Sequence, residues 1–174
     1  PGAHIPEIEI DGQEFDKPGY RFRKLEAGDV KGLFLGEFTD CCQHIGGKGS
    51  ECAEHGFLSE QGGFYVIENE KSGEIVGQSW AWRGTDGALV FDSLESLSGH
   101  FNEQSWAALL SRLSESLRSG QTSHDVTSLR VGTGGDTPRL DFTKAVNPSN
   151  PIDYTAYRDS EKQYQVWAAN SPNR

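Results

Sequence analysis

Hydrophobic and polar residues alternate with a period of two through the middle of the chain, which is typical of β-strands. The clearest run is residues 74–83 (EIVGQSWAWR), with a shorter one at 64–67 and a third at 88–94. Short polar turns join the three runs, including the tight GTDG connection before residue 88. This order predicts an antiparallel meander.

The period changes from two to 3.6 after the meander. Apolar residues recur at helical spacing from Trp106 to Leu117. Asn102 suits the N-cap of this helix, and Gly120 suits the position just past its end. A strand-like run follows at residues 126–132, so the helix is predicted to be a crossover connection. The fold class is therefore α/β, with a mixed sheet that is antiparallel in its middle.

The first part of the chain has a weaker pattern. Residues 1–19 carry three prolines without sustained periodicity, and we expect an extended arm or linker there. The domain itself is then expected to span residues 20–174. Its first strand is predicted at residues 20–26, and Asp29 is expected to cap a helix that begins at Val30.

Two further segments complete the predicted order of elements. Residues 41–63 are rich in glycine and contain all three cysteines, which predicts a long loop that serves a function or is held by a ligand. Residues 153–157 and 163–169 are predicted to form a final pair of strands.

Composition and charge narrow the class of protein. The 174 residues suffice for one domain, and hydrophobic residues reach only 34%, although aromatic residues at 10% add large buried area. The net charge of −10, without a local basic patch, argues against nucleic acid and anionic membranes as partners. Three cysteines and no signal peptide favour a reduced cytoplasmic setting. The chain starts with proline and has no methionine, so we expect it to be part of a larger polypeptide.

Cysteine and histidine residues concentrate in the glycine-rich segment and leave three interpretations open. Cys42, His44, Cys52 and His55 are the ligand types of a structural zinc site. Alternatively, Cys41 or Cys42 is a nucleophile with His44 or His55 as its base. The third interpretation is a pair of buried cysteines with solvent-facing histidines.

Four segments together resemble the GNAT superfamily of acyl-CoA-dependent N-acyltransferases. They are the opening RFRKLEAGD, the strand EIVGQSWAWR, the strand ALVFDSLES with the helix Glu103–Arg118 after it, and the late YRDSEKQYQVW. The resemblance implies a GNAT-like mixed, mostly antiparallel central sheet flanked by helices. It also implies transfer of an acetyl or other acyl group from acetyl-CoA, or another acyl-CoA, to an amine on a small molecule or protein.

One departure from the family pattern bears on the cofactor. The family places a Gln/Arg-x-x-Gly-x-Gly/Ala turn before the helix that follows its cofactor strand, and backbone N–H groups there hold the pyrophosphate. Residues 93–102 (SLESLSGHFN) lack this signature. The alternative function is therefore a non-catalytic, GNAT-shaped binding module of a larger polypeptide, with zinc in the segment from Cys42 to His55.

The resemblance also implies roles for individual residues. Asp92 or Glu95 would deprotonate the amine, and Tyr157 would protonate the leaving thiolate. Gln78, Trp80 and Trp82 share one strand face and form either core or the wall of an acceptor pocket. The residues expected to hold the cofactor are Ser93, Leu94, Leu97, Ser98, Gly99, His100, Phe101 and Asn102.

Overall fold

The computed structural model describes residues 4–33, 50–97, 101–120, 125–135, 137–155 and 158–169. These residues form a mixed α/β fold built on one eight-stranded sheet. Its strands are β1 (Glu9–Asp11), β2 (Tyr20–Lys24), β3 (Gly62–Asn69), β4 (Ile75–Arg83), β5 (Ala88–Ser96), β6 (Ser128–Gly135), β7 (Lys144–Val146) and β8 (Gln163–Ala168). Its helices are α1 (Ser50–Leu58) and α2 (Glu103–Arg118), with 3-10 turns at Gly12–Phe15 and Val30–Leu33.

The sheet has the strand order β1-β2-β3-β4-β5-β6-β8-β7. The described neighbours are antiparallel except β5 and β6, which run parallel. Helix α2 makes the crossover between these two strands, because parallel neighbours need a long connection. The predicted meander and crossover helix are both confirmed.

Helix α2 covers one face of the sheet. The Asn102 side chain accepts a hydrogen bond from the Ser105 amide at 2.8 Å, and Gly120 ends the helix with a φ of +77°. The helix contributes five buried apolar residues to the larger core cluster: Trp106, Leu109, Leu110, Leu113 and Leu117. Neither helix in the described residues combines the length and apolar character that a bilayer crossing needs.

Helix α1 lies on the opposite face, inside the stretch predicted to be a loop. The prediction of a continuous loop over residues 41–63 is therefore wrong for Ser50–Leu58. The apolar side chains on the buried side of α1 are small, namely Cys52 and Ala53, so its periodicity is weak in the sequence. Gly56 lets the helix approach closely, since a Cβ there would stand 2.5 Å from the Phe64 ring.

Residues 4–19 belong to the body of the domain, although the sequence suggested an arm or linker. Strand β1 pairs with β2, and the Tyr65 hydroxyl donates a hydrogen bond to the Pro6 carbonyl at 2.5 Å. The apolar side chains of this segment are buried in the larger cluster: Ile5, Ile8, Ile10 and Phe15.

Two other predicted elements differ from the structure. Strand β8 pairs with β6 and β7, whereas 153–155 in the predicted strand 153–157 are irregular. The helix expected after Asp29 begins as a 3-10 turn, with the Asp29 carboxylate accepting from the Lys31 amide at 3.0 Å. Residues 34–49, where that helix was expected to continue, lie outside the described part of the chain.

Candidate functional site

Strand β5 is irregular where it passes between its two neighbours. Toward β4, the register runs from Gln78↔Glu95 to Ala81↔Phe91, so two β4 residues face three β5 residues. The bulged residues are Asp92, Ser93 and Leu94. Bulges of this kind re-aim backbone groups and are frequent beside active sites.

The register also shifts on the β6 side of the same position. It runs from Phe91↔Val131 to Ser93↔Gly134, so one β5 residue faces two residues of β6. Gly132 makes this close approach feasible, because a Cβ there would stand 2.0 Å from the Asp92 carbonyl oxygen. The parallel pair is thus disturbed beside Ser93 and Leu94, two of the residues expected to hold the cofactor.

The Leu94 amide leaves the regular ladder as a result of the bulge. Its N–H donates to the Thr137 hydroxyl oxygen at 2.8 Å, and that hydroxyl donates to the Gly134 carbonyl at 2.6 Å. The Leu94 N–H therefore points at an oxygen that is supplied by a side chain and not by a neighbouring strand. The Leu94 N–H can donate to another oxygen when the Thr137 side chain moves away.

Asp92 is fully buried beside this position. Its two carboxylate oxygens accept from the Ser160 hydroxyl at 2.5 Å and from the Asp159 amide at 2.9 Å. Burial raises the pKa of Asp92 to about 6, although the two hydrogen bonds oppose that rise. The predicted role of Asp92 as the general base does not fit this geometry, because both oxygens are engaged and the carboxylate has no solvent exposure. The carboxylate instead anchors the segment before β8.

Strands β5 and β6 are held together along the described residues. Pairing continues to Leu94↔Gly135, and the contacts of Asp92 and Thr137 tie the two strands to the segments beyond them. Glu95, the other predicted base, is partly buried on β5.

The residues expected to hold the cofactor have mixed placements. Ser93 and Leu94 are buried and Leu97 is partly buried. The Phe101 ring lies 4.3 Å from the Trp106 ring, and the Asn102 side chain caps α2, so both have structural contacts. Three of these residues, Ser98, Gly99 and His100, lie outside the described residues, as does the predicted acid Tyr157.

A polar network runs through the core on the α1 face. The Trp80 indole N–H donates to His55 Nδ1 at 3.0 Å, and His55 Nε2 lies 2.6 Å from an Asp153 carboxylate oxygen. Since Nδ1 accepts, the proton of the neutral ring sits on Nε2 and is donated to Asp153. The Tyr154 ring packs 4.9 Å from Trp80, and its hydroxyl lies 3.2 Å from the Cys52 sulfur. Burial, reinforced by Cys52, raises the pKa of Tyr154 above its usual range.

This network bears on the predicted zinc site and thiol nucleophile. Cys42 and His44 lie outside the described residues, within which no group of three or more His, Cys, Asp or Glu is placed to hold a metal. Both ring nitrogens of His55 have protein partners, and Cys52 lies against Tyr154. His55 and Cys52 therefore do not fit zinc, and His55 has no nitrogen left to act as base for a thiol.

The predicted acceptor wall is buried. Trp80 and Trp82 have no solvent exposure, and both belong to the smaller core cluster. Gln78 continues the same face and is 2% exposed. Its amide oxygen and nitrogen have no hydrogen-bond partner among the described residues. The tryptophans are thus core, whereas Gln78 is a polar group that the fold leaves unpaired.

Sequence reasoning missed the residues that close the site. Asp153 was assigned to a strand, and Thr137 and Ser160 were assigned no role. Their contacts span 43 residues for Leu94–Thr137, 68 for Asp92–Ser160 and 98 for His55–Asp153. No local pattern signals contacts at such separations.

Known proteins resemble this chain in structure and not in sequence. The sequence matches no family model and no curated protein. A GNAT-family acetyltransferase from Staphylococcus aureus Mu50 aligns with a TM-score of 0.51 at 12% identity, covering 85% of this chain and 99% of that one. An acetyltransferase from Streptococcus agalactiae 2603 aligns with a TM-score of 0.48 at 15% identity, covering 84% and 97%. The fold is GNAT-like, as the sequence predicted.

Proposed function

We propose that this protein is an acyl-CoA-dependent N-acyltransferase, which moves an acetyl or other acyl group to an amine acceptor. The GNAT-like fold supports the reaction class. The single observation that carries the proposal is the Leu94 N–H, which the β5 bulge aims away from the ladder and toward an oxygen at 2.8 Å. A backbone N–H in this setting is the donor that an acyl carbonyl requires as negative charge develops on its oxygen.

Three residues of the chain have separate roles in the proposed reaction. Leu94 donates its N–H to the acyl oxygen once the Thr137 hydroxyl has moved aside. Glu95 is the general base, since it is partly exposed on β5, whereas Asp92 has no solvent exposure. Tyr157 keeps its predicted role as the acid toward the leaving group. Acyl-CoA, when bound, supplies the activated thioester.

Calorimetric titration with acetyl-CoA tests this proposal. Thr137→Ala removes the hydroxyl that competes for the Leu94 N–H, so we expect about three- to tenfold tighter binding than in the wild type. Thr137→Ser is the matched control, because it keeps the hydroxyl and should bind like the wild type. Absence of binding heat in all three proteins would exclude the proposal.

A second candidate is the non-catalytic, GNAT-shaped binding module of a larger polypeptide. The observation that favours it is the closure of β5 against β6 through Asp92, Ser160 and Thr137, together with the missing pyrophosphate signature. This candidate predicts that Thr137→Ala opens no acyl-CoA site. Unchanged stability of that variant on addition of acetyl-CoA would then decide for the module.

A further inference from the structure

Gln78 is a polar side chain whose burial the fold does not explain. It is 2% exposed, yet neither its amide oxygen nor its amide nitrogen has a hydrogen-bond partner among the described residues. An unpaired buried amide lowers stability, and native proteins keep few of them. A ligand that supplies both missing bonds accounts for such a group at a functional site.

The position of Gln78 connects it with the proposed chemistry. It is in register with Glu95, the residue that follows the β5 bulge. Along β4 it lies between Trp80 and Ile75, both of which belong to the α1-side cluster. Ile75 also lines a pocket of about 230 Å³, together with Lys31 and Leu97 at the ends of the neighbouring elements. Gln78 is therefore the cross-strand neighbour of Glu95, the proposed general base, and lies three residues along β4 from a residue that lines this pocket.

We infer that Gln78 selects the acceptor, and that the acceptor is an α-amino amide, either an amino-acid amide or a peptide N-terminus. This inference rests on the proposed function. The Gln78 side chain offers an NH₂ donor group and a carbonyl acceptor side by side. An α-amino amide matches both, because its amine N–H pairs with Oε1 and its carbonyl oxygen pairs with Nε2.

Other amine classes match the site less well. A polyamine carries donors only, so it would leave Nε2 of Gln78 unpaired and buried. A free amino acid brings a carboxylate next to Glu95, where like charges repel. The neutral amide avoids both penalties.

The test compares two acceptors, alaninamide and isopropylamine, which differ in the amide group. We expect Gln78→Leu to lower the ratio of kcat/KM for alaninamide to kcat/KM for isopropylamine by about tenfold or more. The reason is that the variant cannot donate a hydrogen bond to the amide carbonyl. Comparing this ratio between proteins cancels the difference in amine basicity. Gln104→Leu, on the exposed side of α2, is the matched control and should leave the ratio unchanged.

The outcomes separate this inference from the proposed function. If the wild type binds acetyl-CoA in the calorimetric titration but acylates neither amine, the acceptor assignment alone is overturned. If it does not bind acetyl-CoA and acylates neither amine, the proposed function is contradicted as well. Turnover with the same ratio in Gln78→Leu and the wild type overturns the acceptor assignment alone. Thermal unfolding adds a readout that needs no activity: removal of an unpaired amide should raise Tm, and a lower Tm would show a structural role and overturn the inference.

Discussion

The two faces of the sheet differ in what they bury, which is mainly apolar side chains on the α2 face and several polar groups on the α1 face. On the α2 face, five apolar side chains of one helix pack against apolar strand residues in the larger cluster. On the α1 face, the smaller cluster lies among buried polar groups: His55, Gln78 and Asp92 are each at least nine-tenths buried. The α2 face stabilises the fold through buried apolar area. The α1 face holds polar groups that lower stability unless they have hydrogen-bond partners.

The contrast supports placing the proposed site on the α1 side. Several polar groups there are paired with distant segments, as in the Trp80–His55–Asp153 chain. Gln78 lacks such a contact among the described residues, and Asp92 keeps its charge at a cost. A face built for stability alone would have replaced these groups with apolar ones.

The largest effect is expected from a cavity on the α2 face. Leu113 has no solvent exposure, so Leu113→Ala should lower the free energy of unfolding by about 2–5 kcal/mol. Urea denaturation measures this loss. Gln104→Ala, at an exposed position of the same helix, is the control and should change stability by less than about 0.5 kcal/mol. Equal losses in the two variants would refute the assignment of this face as the main source of stability.

The next effect concerns the buried charge of Asp92. Its pKa of about 6 in the folded protein exceeds the usual 3.8, so the folded state holds this proton more tightly than the unfolded chain. The contribution of Asp92 to stability is then greatest below pH 4 or so and falls as pH rises through about 6. The change amounts to roughly 3 kcal/mol, at 1.36 kcal/mol per pKa unit.

Asp92→Asn removes this titration. We expect the wild type to lose roughly 3 kcal/mol relative to the variant between about pH 4 and pH 7, measured by urea denaturation across that range. Asp141→Asn, at an exposed site, should run parallel to the wild type. Parallel curves for Asp92→Asn and the wild type would mean that the carboxylate is not desolvated.

A smaller effect tests the paired polar groups of the α1 face. Trp80→Phe removes the donor to His55 Nδ1 and leaves a buried acceptor unpaired, which should cost about 1–3 kcal/mol. The same substitution in a His55→Leu background should cost about 1 kcal/mol less, because the partner is already gone. Strict additivity in this double-mutant cycle would show that the Trp80–His55 bond contributes nothing.

Hydrophobic periodicity and helix capping predicted the elements that bury one regular apolar face. Alternation identified β4 and its neighbours, and the spacing from Trp106 to Leu117 identified α2 with its Asn102 cap. Helix α1 was not predicted, because Cys52, Ala53 and Gly56 give little apolar contrast along the sequence. The strand paired with β8 was also misplaced, since Lys144–Val146 is short and mostly exposed.

The sequence by itself determined the order of the central elements, because alternation and helical periodicity are local consequences of burying one face. Only the tertiary structure decided which hydrogen-bond partners the buried polar groups have. It committed Asp92 to Ser160 and His55 to Trp80 and Asp153, and left Gln78 without a partner among the described residues. The physical reason is that a polar group's role depends on which distant atoms reach it, and those contacts leave no periodic trace in the chain.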